Sequence, residues 1–134
     1  MSSASSPLLP HDATPFVTSS FLWSSGATLV AAGMTLGAFG AHALKGRPGI
    51  TADNVHAWDT ATNYLIVNGL GLLLVSQHPR FSSHHFAGCA ILCGGAVFSG
   101  SIMSLILCKK LRFLGPITPL GGIIMISGYI SLVF

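Results

Sequence analysis

Nine charged residues in a chain of 134 decide what it can become. They are Asp12, Lys45, Arg47, Asp53, Asp59, Arg80, Lys109, Lys110 and Arg112, with no glutamate among them. Their placement leaves four uncharged intervals, 21–43, 60–76, 85–108 and 117–134, each about 17–24 residues long. A helix rising about 1.5 Å per residue needs roughly 20 residues to cross a hydrocarbon core ~30 Å thick. Charge makes up 7% of the chain, where a soluble domain carries about 25%, and 51% is hydrophobic. A water-soluble globule, a disordered tail and a nucleic-acid binder each need a charged surface, so all three are excluded. The net charge of +3 is too small and too clustered to point to a polyanionic partner.

The expectation is an all-α integral membrane protein, a bundle of four transmembrane helices in a single domain over 21–134. Thr51-Ala-Asp-Asn reads as a helix cap with an acidic first turn, which extends the second helix back to 52–76. Turn chemistry separates the helices at Gly46-Arg-Pro-Gly49, His78-Pro79-Arg80 and Gly115-Pro116-Ile-Thr-Pro119. Thr118 is a candidate cap for the last helix, and Pro119 falls in its first turn, where proline is tolerated. No alternation of apolar and polar residues supports strands of a membrane barrel.

Lys45, Arg47, Lys109, Lys110 and Arg112 lie in the first and third loops, and Arg80 alone lies on the other side. The basic bias puts those loops inside and both termini on the outer, periplasmic or intermembrane-space, side. Residues 1–20 form a polar arm rich in Ser and Pro, with no Lys or Arg. It matches neither a secretory signal nor a transit peptide, so the first helix is expected to act as its own uncleaved signal. An arm of this kind would be ordered only if a partner held it.

Cys89, Cys93 and Cys108 all fall on the third helix and show no Cys-x-x-Cys or second pair, so they read as small packing residues. Six histidines invite a haem reading, but His42 has no counterpart at its depth to complete a bis-His site. No cofactor or metal is expected. More weight falls on polar groups inside the spans, which cost free energy unless paired. His42, Asp59 and Asn63 fall at one depth, with Thr118 also at that level, and can form a clasp between helices one and two. Asn68 lies about 14 Å further along the second helix and, with Ser99, Ser101 and Ser104, suits interhelical hydrogen bonding. Gly33, Gly37 and Gly40 on the first helix, Gly100 on the third, and Gly121 and Gly122 on the fourth are candidate close-packing positions.

Four segments then occur in order: Gly37-Ala-Phe-Gly-Ala-His-Ala-Leu-Lys45, Trp58-Asp-Thr-Ala-Thr-Asn-Tyr64, Ser99-Gly-Ser101 and Gly115-Pro-Ile-Thr-Pro-Leu-Gly-Gly122. Over about residues 25–134 the chain resembles the small four-helix membrane proteins typified by bacterial YgdD and animal transmembrane protein 256, a domain of unknown function. The resemblance implies an inner-membrane protein of bacteria or mitochondria, with no established activity or cofactor. The family's motif positions fall here on His42, Tyr64, Gly100, Thr118, Pro119 and Gly121. The chain departs from the pattern at Asn68, often histidine in relatives, and at Met103, often tyrosine. Asparagine keeps a hydrogen-bonding group but cannot titrate.

The functional expectation is a non-catalytic accessory subunit of an inner-membrane assembly, above all a mitochondrial respiratory complex. Its partners would be other membrane subunits and lipid, with Lys109, Lys110 and Arg112 a candidate contact for anionic headgroups such as cardiolipin. The alternative is a small transporter or channel using His42 and Asp59, although the inverted repeats and broken helices usual for transporters are missing. No Ser-His-Asp set, phosphate loop, zinc motif or facing carboxylate pair suggests an enzyme.

Overall fold

The computed structural model describes residues 17–134, and they are all-helical. Helix α1 spans Ser19–Phe39 and runs into a π-helical turn at Gly40–Leu44; α2 spans Ala52–Gln77 and α3 His85–Leu107. A 3₁₀ segment, Lys109–Leu114, leads into α4, Ile117–Ile130. The polar arm, with His11 and Asp12, lies almost entirely outside the described residues. Two helical stretches, Ser19–Leu44 and His85–Leu107, are long and apolar enough to cross a membrane. The helix expected over 117–134 stops at Ile130, and residues 131–134 close in a turn.

Local chemistry explains the ends. Thr18 caps α1 by accepting from the Phe21 N–H at 3.1 Å. Thr51 and Asn54 form a reciprocal capping box at the start of α2, each side chain accepting from the other's backbone N–H. The start of α4 differs from the expectation. Pro116 occupies the cap position, and the Thr118 hydroxyl turns to α3 instead. Gly46 and Gly49, at φ +80° and +83°, let the chain reverse between α1 and α2.

The helices pack in chain order, α1 on α2, α2 on α3 and α3 on α4. Glycine crossings set the closest approaches. A Cβ at Gly26 would sit 2.7 Å from the Gly69 carbonyl oxygen, and one at Gly69 would sit 2.6 Å from that of Gly26. The α3–α4 pair repeats the device. A Cβ at Gly121 would lie 2.6 Å from the Phe98 nitrogen, and the backbones of Gly94, Gly121 and Met125 are in contact. Of the candidate packing glycines, Gly33, Gly40 and Gly121 are buried at such contacts. Gly37 and Gly122 touch only side chains at ordinary distance, and Gly100 faces nothing within 4 Å.

Large apolar side chains remain outside, including Val67, Leu70 and Leu74 on α2 and Leu120, Ile123 and Ile126 on α4. So broad an apolar exterior is what a bilayer accepts and water does not. The glycine geometry sets up a contrast between two substitutions of the same kind. Gly69→Ala is expected to destabilise the bundle by about 1–3 kcal/mol through forced separation of α1 and α2. Gly100→Ala should change stability by less than about 0.5 kcal/mol. Thermal unfolding in mild detergent checks both.

Candidate functional site

Residues within or directly beside the four recognisable sequence segments meet in one hydrogen-bonded seam. Trp58, only 1% exposed, lays its ring against Gly40, where any Cβ would collide with the indole. Its Nε1–H donates to the Leu36 carbonyl at 2.8 Å. A buried indole N–H needs such an acceptor, and the π-turn begins four residues beyond that carbonyl. One turn along α2 from Trp58, the Ala61 carbonyl accepts from Ser99 of α3 at 2.8 Å. Two residues further along α3, Ser101 shares a 2.6 Å hydrogen bond with Thr118 of α4. The seam joins α1 to α2, α2 to α3 and α3 to α4 through three short side chains and one indole.

A second link lies further along α2. Asn68, 1% exposed, accepts from the Tyr129 hydroxyl at 3.0 Å and directs its amide N–H at the Met125 sulfur at 2.9 Å. Here α2 reaches α4 directly, past Gly95, whose missing Cβ leaves room for the Asn68 amide. Every buried side-chain nitrogen and oxygen among the described residues has a hydrogen-bond partner. That satisfaction is what keeps polar groups tolerable in a low-dielectric interior.

Several expected site residues fall elsewhere. His42, Asp59 and Asn63 are exposed and are not brought together as a clasp. His42 follows Gly40, which faces Trp58, by two residues, so the helix carries it roughly half a turn away from α2. Asp59 and Asn63 lie off the Trp58 side of α2, on its outward face. Asn68 and Thr118 do join helices, but through Tyr129, Met125 and Ser101. Trp58 and Tyr129 are linking groups that the helix and charge pattern of the sequence does not mark. The available signal was a polar donor on each aromatic ring within an otherwise apolar segment.

Lys109, Lys110 and Arg112 are exposed on the 3₁₀ segment. Cys89 is half-buried, Cys93 and Cys108 are exposed, and all three are free thiols. Among the described residues no group of three His, Cys or Asp side chains lies close enough to hold a metal ion.

A family model described as "Protein of unknown function (DUF423)" matches residues 36–122. The chain belongs to this family. The matched stretch opens at Leu36, whose carbonyl receives Trp58, and its end takes in Thr118 and Gly121. The DUF423 segment is therefore the part of the chain that holds the seam. A "UPF0382 membrane protein" of Schizosaccharomyces pombe is 33% identical over 83% of this chain and 97% of its own length. Proteins of the same description from Staphylococcus haemolyticus and a bovine strain of Staphylococcus aureus are 37% and 39% identical, each over 72% of this chain and 79% of their own. The family is one of membrane proteins. No solved structure matches.

The second link yields a measurable coupling. A double-mutant cycle with Asn68→Ala and Tyr129→Phe is expected to give an interaction energy of about 0.6–1.7 kcal/mol in detergent. His42→Ala, which removes an exposed ring, should stay within about 0.5 kcal/mol of the parent.

Proposed function

We propose that this chain is a non-catalytic helix-bundle subunit of a larger inner-membrane assembly. The mitochondrial respiratory chain is the proposed setting, with the bacterial inner membrane its counterpart in prokaryotic relatives. On this reading all four helices are embedded and both termini lie on the outer side. The first turns of α2 sit among headgroups, and α4, about 21 Å long, is accommodated by tilt or local thinning of the bilayer. The basic residues of the first and third loops face inward, and Phe21 and Trp23 meet the opposite interface.

One observation carries the proposal: the outward face of α2 is polar where it should meet lipid. Asn63 lies about 16 Å from the start of α2, about 5 Å beyond the two turns at headgroup level, and Asp59 lies where those turns end. Both are exposed, on the same helix whose later outward positions are Val67, Leu70 and Leu74. Hydrocarbon offers no partner to an amide or a carboxylate, and such residues characteristically face protein or trapped water. A neighbouring subunit supplies that partner. The transporter alternative asks His42 and Asp59 to line one path, whereas both are exposed, on different helices, with no hydrogen bond between them.

In native membranes solubilised in mild detergent, the protein should migrate in a particle several times its own mass of 13.9 kDa. The Asp59→Leu/Asn63→Leu variant should lose most of that association while keeping its helical spectrum. Migration of the unaltered protein as a free monomer would rule the proposal out.

A further inference from the structure

We infer that Arg47 and Lys109 form a binding site for the phosphate group of an anionic phospholipid. The site is distinct from the row of Lys109, Lys110 and Arg112 considered as a unit. It is a cleft of about 280 Å³ between the α1–α2 loop and the end of α3, with Arg47 and Lys109 both on its walls and no carboxylate among its lining residues. The Lys109 side chain leans across to the loop: its Nζ lies 3.5 Å from the position a Cβ would take on Gly49. Two cationic residues from separate segments thus line one cleft. A guanidinium fork and an ammonium complement each other on a phosphate, the first fixing orientation and the second adding charge.

The rest of the cleft identifies an amphiphile as the occupant. Ile50, Ile106 and Leu107 form its apolar side, with Ile106 buried in the core and Leu107 half exposed at the helix end. A neighbouring cleft of about 550 Å³ runs along Leu107 to Leu111 and shares Leu107 and Lys109 with the first. Charge at the mouth and hydrocarbon surface alongside suit a headgroup with its acyl chains, whereas free phosphate would use only the two cations. The inference rests on the family being one of membrane proteins, and not on the subunit reading.

The test uses the full chain in nanodiscs of phosphatidylcholine containing a minor fraction of phosphatidylglycerol, with native mass spectrometry counting the lipid that stays bound. The unaltered protein should retain phosphatidylglycerol in preference to phosphatidylcholine. Arg47→Gln/Lys109→Gln should lower that retention by at least about tenfold. Lys45→Gln/Arg112→Gln removes the same charge from the same end at residues that line neither cleft, and should lower it less than about twofold. The single Lys109→Gln variant should fall between them, and covers the case of a double variant that does not purify. Millimolar inorganic phosphate should leave bound lipid unchanged. Equal losses in the two double variants, or no preference for the anionic lipid, would overturn the site. Displacement by phosphate would overturn the assignment to a lipid. The isolated chain is measured, so this result and the association of the protein in native membranes can fail independently.

Discussion

Backbone contact at a pair of glycine crossings is the constraint on which the rest of the structure depends. At Gly26 and Gly69 the α1 and α2 main chains meet with no room for a methyl group on either side, and Gly94 with Gly121 does the same for α3 and α4. Between apolar helices in lipid, burying leucine gains little, so association relies on close van der Waals approach and interhelical hydrogen bonds. The crossings supply the first and bring the backbones near enough for the second. Trp58 can reach the Leu36 carbonyl because Gly40 leaves the indole a seat. Asn68 can reach Tyr129 because Gly95 has no side chain in the way.

Those commitments use up most of the circumference of α2. One side is given to α1 through Gly69, Thr62 and Trp58, and the adjoining side to α3 and α4 through Ala61 and Asn68. What remains faces outward, and it carries Asp59 and Asn63. Their position is thus a consequence of the packing and not of a loosely held segment. The proposal of a protein neighbour follows from that geometry together with the low tolerance of hydrocarbon for unpaired polar groups.

The charge pattern makes the helices legible in the sequence. Uncharged runs and the Thr51 capping box fall where α2 and α3 begin and end, because both depend on local chemistry. The seven-residue spacing of Gly26, Gly33 and Gly40 carries the tightest α1 contacts with α2, and Gly37, between Gly33 and Gly40, meets Thr62 of α2 only at ordinary distance. Gly69 could not be picked out, since its importance lies in a partner more than forty positions away. The polar clasp rests on depth alone. Depth puts His42 near Asp59, and rotation about each helix axis separates them. Asn68 reads as interhelical glue from the sequence, while its partners Tyr129 and Met125 belong to α4, whose rotation the sequence does not encode in any local pattern.

The seam links the four short segments that carry the family resemblance, the first through Leu36 directly beside it, so that each holds the next. The central claim, that the outward face of α2 meets another protein, is tested most directly by a photo-crosslinking residue at position 63 in native membranes. A second probe at position 123, on the exposed apolar side of α4, serves as the reference. The account predicts a discrete protein adduct from position 63 and none of that mass from position 123. Lipid adducts alone at position 63, or the same adducts from both positions, would contradict it.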